Sequence, residues 1–288
     1  MLKYWAPRIL MSVATAWLIV IAGAGMVYIQ AMLHPGCPAS PDQRPGYQSV
    51  SLVTADGLTL RGWWRPPQNG AVILLMAGHG GGRDSMLPEA ETLAAGGFGA
   101  LLVDGRQCAG GLVTFGAREA DDLAAMLAFA RAQPGVRWVG ALGFSAGGTA
   151  VLIGSARLPE IRAVLAEGNY ANLQDEMLAA GAYLPALEWQ LHHSALLSYA
   201  LVTGIWPGTV SPVDALPRLA PRPVLLIHGA LEIQRSQGER QYAAAGEPRE
   251  LWVVPGAQHG TYLYAAPREY PCRILAFFQQ AYRQDINR

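Results

Sequence analysis

The stretch Trp138–Ala156, which reads WVGALGFSAGGTAVLIGSA, decides the fold of this chain. Its first part, Trp138–Leu142, is a short apolar run typical of a buried strand, and Thr149–Ala156 is typical of a buried helix. The turn between them has the pattern G-x-S-x-G centred on Ser145, in the strand–turn–helix context that this pattern requires. Its glycines let strand and helix approach closely, so the hydroxyl is exposed at a helix N-terminus. We predict that Ser145 is a nucleophile; the alternative is a tight turn without chemistry.

The surrounding sequence repeats this alternation of apolar strands and helical segments. A hairpin with an Asp56-Gly57 turn comes first, and an amphipathic helix is predicted over Glu119–Ala132. Continuous apolar strands that alternate with helices are typical of a mostly parallel sheet covered by helices on both faces. We therefore expect the α/β class. The apolar runs are Ala71–Met76, Ala100–Val103, Trp138–Leu142, Ala163–Ala166, Val224–Ile227 and Leu251–Val254.

An apolar segment lies near the start of the sequence. Ile9–Leu33 contains no charged residue, and about 20 apolar residues suffice for a helix to cross a bilayer. Lys3 and Arg8 precede it, which favours a cytoplasmic N-terminus and an extracytoplasmic catalytic domain. A cleaved signal peptide is the alternative, since small residues occupy positions 22–24, and a buried soluble helix is another. The apolar run continues past those small residues, so we predict an uncleaved single-pass membrane anchor over residues 1–34.

The rest of the chain divides into a linker and one catalytic domain. Residues 35–46 are rich in proline, glycine and polar residues and are predicted to be a linker, and residues 47–288 form the catalytic domain. A segment at about 170–217 interrupts the strand–helix alternation and is predicted to be a short helical insertion. Its aromatic residues either shape an apolar substrate pocket or pack in a core; they are Tyr170, Tyr183, Trp189 and Trp206.

A glycine-rich loop, Ala77–Gly82, follows the first strand of the predicted parallel sheet. A loop in this place supplies a backbone N–H to a developing oxyanion. We predict that the donor is His79, or Gly80 if the register differs by one, and that Ala146 supplies the second N–H. Phosphate binding is disfavoured, because the loop has neither a P-loop Lys-Ser/Thr nor a G-x-G-x-x-G pattern.

The candidates for the base and the acid lie late in the chain. His259 is on the loop Pro255–Gly260, after the last apolar strand, where a general base is expected in the order serine, acid, histidine. Glu232 follows the strand Val224–Ile227 and is the predicted acid, which would hold the imidazole in its useful tautomer. Glu167 is the alternative acid. The remaining alternative is that Glu232 is a solvated surface glutamate with no catalytic role.

Composition excludes several other classes of protein. The net charge is zero, so no nucleic-acid partner is expected. Lys3 is the only lysine, which excludes a Ser-Lys dyad or a Schiff-base lysine in the catalytic domain. Cys37, Cys108 and Cys272 form no CxxC pair, and no residues have metal-ligand spacing, so no metal or cofactor is expected. One disulfide is possible if the domain lies outside the cytoplasm.

With these residues placed, the chain resembles the α/β-hydrolase superfamily over about Tyr47–Arg283. It is most similar to membrane-anchored bacterial esterases, dienelactone-hydrolase-like proteins and serine aminopeptidase-like hydrolases. It departs from them at Ala77-Gly78, where they have His-Gly; at Arg106–Ala109, where they have Arg-Gly-His-Gly; and at Glu232, where they have aspartate. The matching segments are Gly81–Ser85, Thr114–Leu123, Ser211–Asp214 and Arg222–Gly229.

The resemblance implies a serine hydrolase of the α/β-hydrolase fold. Ser145 would form an acyl-enzyme, with His259 as base and Glu232 as acid. Carboxylic esters are the first expectation for the substrate, and a short peptide or amide is the second because the same triad serves both. A non-catalytic α/β-hydrolase scaffold is the alternative from a different class.

Overall fold

A computed structural model describes residues 2–179, 185–232 and 235–287. The chain separates into two compact units. The smaller unit combines Met1–His34 with Asn172–Thr209, and the larger unit combines Pro35–Ala171 with Val210–Arg288. Most of the predicted insertion therefore groups with the N-terminal segment. One of its aromatic residues, Tyr183, lies outside the described residues.

The larger unit is built on an eight-stranded sheet with the order β1-β2-β4-β3-β5-β6-β7-β8. The β1–β2 and β2–β4 pairs are antiparallel, and the other neighbouring pairs are parallel. Each of the six predicted apolar runs is a strand of this sheet. The strands are β1 (Gln48–Val53), β2 (Thr59–Arg65), β3 (Ala71–Met76), β4 (Gly99–Val103), β5 (Trp138–Phe144), β6 (Ile161–Glu167), β7 (Val224–Gly229) and β8 (Arg249–Val254).

Helices cover both faces of this sheet, which explains why its central strands are apolar throughout. Along β3, Val72 and Leu74 face one core while Ile73 and Leu75 face the other. Leu123 of the helix Glu119–Ala132 belongs to the first core, and other helices complete both. The helices of the larger unit are α2 (Leu87–Ala95), α3 (Glu119–Ala132), α4 (Ala146–Ser155), α7 (Pro212–Ala215), α8 (Arg235–Ala244), α9 (Tyr262–Ala265) and α10 (Glu269–Ile286), numbered with those of the smaller unit.

The smaller unit contains α1 (Leu2–Leu33), α5 (Leu173–Ala179) and α6 (Pro185–Thr203). Within α1, Trp5–Leu33 has a mean hydropathy of 2.1 and is long and apolar enough to cross a membrane, by length and composition. The predicted N-terminal apolar helix is thus present. It packs against α6, and most of its exposed residues are apolar.

The predicted linker, residues 35–46, contains no helix or strand. It is tied to the larger unit by a disulfide between Cys37 and Cys108, which are 71 residues apart in sequence. Cys108 lies in a short 3-10 helix that follows β4. The third cysteine, Cys272, is a free and exposed thiol.

Candidate active site

The parallel strands bring the predicted site segments to one edge of the sheet. The loops that begin at Ala77, Ser145, Ala230 and Pro255 follow the carboxyl ends of β3, β5, β7 and β8 respectively. In open α/β sheets the carboxyl ends of parallel strands are where ligands bind. Segments more than 100 residues apart in sequence can therefore meet at this edge.

Ser145 occupies a strained turn between β5 and α4. Its φ is +55° and its ψ is −120°, a conformation that is costly for a residue with a side chain. Its N–H donates to the Glu167 carbonyl at 2.7 Å, which helps hold the turn. A Cβ on Gly143 would lie 2.3 Å from the Gly147 carbonyl oxygen, and one on Gly147 would lie 2.2 Å from that of Met76. The two flanking positions therefore have no room for a side chain.

His259 lies beside the serine on the loop that follows β8. Its Nε2 is 3.2 Å from Ser145 Oγ, and its ring packs against Phe144 with the centroids 4.7 Å apart. Gly168 also lies close to the ring, since a Cβ there would be 2.9 Å from His259 Nδ1. The backbone of Gly168, whose φ is +56°, therefore packs directly against the imidazole and limits its movement.

Glu232 contacts the other nitrogen of the His259 ring, the one that does not face the serine. Its Oε1 lies 3.0 Å from His259 Nδ1 and accepts a short hydrogen bond from the Tyr262 hydroxyl. Its Oε2 accepts the Gly229 N–H at 2.7 Å and lies 3.4 Å from His228 Nδ1. Burial raises the pKa of Glu232, but these neighbouring donors outweigh burial and hold the pKa at about 2. The carboxyl group is therefore ionised at neutral pH, as an orienting acid must be.

The alternative acid, Glu167, has a different environment. It is fully buried at the end of β6, with the Tyr270 hydroxyl 2.9 Å from both carboxyl oxygens. The same hydroxyl contacts Glu89 at 2.8 Å. Burial and the neighbouring Glu89 raise the pKa of Glu167 well above its ordinary value, the opposite direction to the shift at Glu232. Among the described residues, the carboxyl group that contacts His259 is that of Glu232.

The glycine-rich loop after β3 lies against Ser145. A Cβ on Gly78 would be 3.1 Å from Ser145 Cβ, so the backbone at the start of the loop is close to the serine. The next residue, His79, stacks its ring on Phe115 with the centroids 5.0 Å apart and the planes 7° apart. Ala146 is the first residue of α4, where backbone N–H groups point out of the helix. The predicted oxyanion donors therefore come from the loop and the helix on either side of Ser145.

The linker braces this loop, which the sequence pattern did not indicate. A Cβ on Gly80 would lie 3.3 Å from Pro35, and one on Gly82 would lie 2.9 Å from Ser40. Ser40 also donates to Asp84 at 2.8 Å. The buried Arg83 donates to a linker carbonyl at 2.8 Å. The disulfide fixes the beginning of the linker, so a covalent bond helps hold the loop that follows β3.

Two further residues of the site were missed at the level of sequence. Tyr262 donates to Glu232, and His228 lies fully buried on the other side of that carboxyl group. Tyr262 stands three residues after His259, but nothing in that spacing shows that its hydroxyl faces the acid. Within the described ranges, no group of three His, Cys, Asp or Glu side chains is placed to hold a metal ion.

Comparison with solved structures identifies the fold. No model of a known protein family matches the chain. The esterase Pf2001 of Pyrococcus furiosus superposes with a TM-score of 0.71 at 23% identity, over 86% of this chain and 98% of that one. The α/β-hydrolase GrgF of a Penicillium species superposes with a TM-score of 0.61 at 18% identity, over 82% of this chain and 98% of that one. The chain has the α/β-hydrolase fold, which confirms the predicted fold class.

Comparison with curated sequences finds relatives without a stated activity. The uncharacterized protein YfhR of Escherichia coli is 25% identical over 228 residues, which cover 74% of this chain and 73% of that protein. The uncharacterized protein PA2218 of Pseudomonas aeruginosa is 48% identical over 63 residues. That shorter match spans 22% of this chain and only 17% of PA2218. These two proteins are similar to the chain in sequence, and their names state no activity.

Proposed function

We propose that this protein is a serine hydrolase that cleaves carboxylic esters through an acyl-enzyme on Ser145. The observation that carries the proposal is the continuous row from Ser145 Oγ through the two nitrogens of His259 to Glu232, with distances of 3.2 Å and 3.0 Å. A nucleophile, a base and an ionised orienting acid within hydrogen-bond reach are what this chemistry needs. The esterase among the structural relatives supports the same reading.

In the first half of the proposed reaction, His259 Nε2 accepts the hydroxyl proton while Ser145 Oγ attacks the ester carbonyl carbon. The carbonyl oxygen gains the electron pair, and backbone N–H groups of His79, or Gly80, and Ala146 donate hydrogen bonds to it. Glu232 stays ionised and stabilises the imidazolium. The tetrahedral intermediate then expels the alcohol, which takes its proton from His259.

In the second half, water replaces the alcohol. His259 Nε2 removes a proton from this water as its oxygen attacks the acyl carbon. The ester bond to Ser145 Oγ then breaks, and the proton returns from His259 to the serine oxygen. The products are one carboxylic acid and one alcohol, and the enzyme returns to its starting protonation state.

The test is labelling and turnover in wild type and in Ser145→Ala. A fluorophosphonate probe should label wild type and not Ser145→Ala, and the variant should lose about a million-fold in kcat with an unchanged fold. Ser51→Ala changes an exposed serine of β1 and should behave as wild type. Absence of labelling in wild type would support a non-catalytic scaffold.

The substrate class is tested with a panel of chromogenic substrates. Nitrophenyl esters of increasing acyl length are compared with aminoacyl nitroanilides at equal concentrations. We expect the esters to give the higher kcat/KM relative to their uncatalysed rates. If the anilides give the higher enhancement, the enzyme is a peptidase or amidase with the same triad.

We further propose that α1 is an uncleaved anchor and that the catalytic unit lies outside the cytoplasm. Lys3 and Arg8 favour a cytoplasmic N-terminus, and the disulfide between Cys37 and Cys108 is typical of an oxidising compartment. The protein should sediment with membranes and resist extraction by salt, because an apolar helix and not charge holds it there. A soluble protein whose N-terminus begins after Ala24 would show that the segment is a signal peptide.

A further inference from the structure

Helix α6 of the smaller unit lies along α1 rather than beyond its end. Trp17 Nε1 donates to Gln190 Oε1 at 2.7 Å, and Ser194 Oγ donates to the Ile21 carbonyl at 2.8 Å. The contacts advance by four residues on both helices, so the two helices run parallel. At 1.5 Å per residue, the 19 residues of α6 extend about 28 Å beside the apolar stretch of α1.

The contact between the two helices has the character of a contact between membrane helices. A Cβ on Gly25 would lie 2.2 Å from Ser194 Oγ, so the backbones approach where both residues are small. Ile21, Gly25, Ile29 and Leu33 form a buried row at intervals of four. Small residues and hydrogen bonds between helices are what hold helices together in lipid, where burial of apolar surface gives no advantage.

The outer face of α6 is apolar. Leu197 and Leu201 expose 62% and 77% of their surface, and Trp189 exposes 61%. Glu188, in the first turn, is the one Asp, Glu, Lys or Arg among the 19, and His192 and His193 lie near the middle of the helix. On α1 beside them, apolar residues such as Val27 are exposed to a similar degree, 71%. Large apolar side chains exposed on two helices that pack together are unfavourable in water and mark contact with an apolar partner.

We propose that α6 is a second membrane-embedded helix, whose Leu197 and Leu201 face contacts the acyl chains of the bilayer. Lipid is the expected partner because α6 packs along the apolar stretch of α1 that is long enough to span a membrane, and both helices expose large apolar side chains. It rests on the proposed anchoring by α1. The protein is then held in the membrane by two helices that are distant in sequence.

The experiment measures how deep single side chains lie in the bilayer. Full-length protein carrying Cys272→Ser receives one new cysteine, Leu197→Cys or Leu201→Cys, and a nitroxide label; Cys37 and Cys108 stay paired. The protein is placed in phosphatidylcholine–phosphatidylglycerol vesicles. Electron paramagnetic resonance then compares collisions with oxygen, which concentrates in hydrocarbon, and with a nickel chelate, which stays in water. Ester hydrolysis by each labelled protein shows that it is folded.

Two reference labels calibrate the result. Val20→Cys, at a site on α1 that is 61% exposed, reports the anchor; Val53→Cys, at a site on β1 that is 68% exposed, is the matched apolar position in the larger unit. We expect the oxygen-to-nickel ratio at Leu197 and Leu201 to match that at Val20 and to exceed that at Val53 severalfold.

Each contrary outcome has its own meaning. If Leu197 and Leu201 behave like Val53 while Val20 behaves like hydrocarbon, α6 lies in water and the inference fails while the anchoring stands. If Val20 itself behaves like Val53, the proposed anchoring fails first. If both reagents are excluded from the α6 labels, a second protein surface covers this face and contact with lipid is refuted.

Discussion

Replacing Glu232 by glutamine removes the charge that orients the proposed base while keeping nearly the same shape. The two carboxyl oxygens serve different donors: Oε1 faces His259 Nδ1 and the Tyr262 hydroxyl, and Oε2 accepts the Gly229 N–H. Glutamine has one acceptor oxygen and one NH₂ donor. If the NH₂ group faces His259, the imidazole must carry its proton on Nε2 and cannot accept the proton of Ser145. If it faces Gly229, two buried donors oppose each other.

The size of the effect follows from these contacts. An aspartate-to-asparagine change in a serine protease, which imposes the wrong tautomer, lowers kcat about ten-thousand-fold, or about 5.4 kcal/mol at 1.36 kcal/mol per factor of ten. We expect a loss of this order for Glu232→Gln. A buried donor left unsatisfied costs about 1–3 kcal/mol of stability. The melting temperature should therefore fall by some degrees, since about 1 kcal/mol corresponds to about 2–4 °C in a domain of this size.

Glu167→Gln is the matched control, because it makes the same substitution in a second buried glutamate of the same edge. The pKa of Glu167 is raised by burial and by Glu89, and its carboxyl group contacts Tyr270 rather than His259, so activity should change by less than about tenfold. The assay is kcat/KM on a nitrophenyl ester together with thermal unfolding. If Glu232→Gln keeps near-wild-type kcat/KM, Glu232 is not the acid; if Glu167→Gln shows the ten-thousand-fold loss instead, that role belongs to Glu167.

Three further perturbations test other parts of the site. Tyr262→Phe removes one donor to Glu232, so the pKa of Glu232 should rise from about 2. Because a depressed carboxyl pKa stabilises the fold above its unfolded value near 4.5, the deficit in unfolding free energy should be largest near neutral pH. That deficit should shrink as pH falls from about 4.5 through 2 in acid titrations followed by circular dichroism, and a deficit as large at pH 2 as at neutral pH would contradict this assignment. Glu167→Gln should gain stability relative to wild type as pH rises above the ordinary glutamate pKa, because the raised pKa of Glu167 disfavours its ionisation in the fold. If the difference in unfolding free energy between Glu167→Gln and wild type is the same at pH 4 and pH 8, this prediction is refuted. Removing the disulfide by a double Cys37→Ser and Cys108→Ser change should lower the free energy of unfolding, measured with denaturant, by about 4 kcal/mol for a loop of this length. It should also lower kcat for ester turnover, because the loop after β3 becomes less rigid. An unchanged kcat would show that the linker does not brace this loop.

Local patterns in the sequence were enough for the fold class and for the elements that carry the site. The run of apolar residues in each central strand indicates a sheet buried on both faces, because every side chain of such a strand meets a helix layer. Glycines on both sides of Ser145 indicate a turn where strand and helix nearly touch. Each of these patterns involves residues that are close together in sequence, so it can be recognised without knowing how distant segments pack.

Tertiary structure decided the features that depend on distant segments. Glu232 and Glu167 each follow a strand of the same sheet, and only the fold shows that Glu232 contacts His259 while Glu167 is buried beside Glu89. Tyr262 is close to His259 in sequence, yet its bond to Glu232 depends on how two loops pack. The position of Glu232 after the strand Val224–Ile227 made it the first candidate for the acid, but nothing in the sequence indicated the bond from Tyr262.

The same holds for the pairing of cysteines and of helices. Three cysteines allow three different single disulfides, and the fold chooses Cys37 with Cys108 by bringing the linker to the loop after β4. Helix α6 has the composition of an ordinary buried helix, and only its contacts along α1, at Gln190 and Ser194, show which helix it accompanies. Hydrophobic periodicity and turn chemistry act through short stretches of chain and can be read from sequence, whereas partners far apart in sequence are chosen by the free energy of packing the whole molecule.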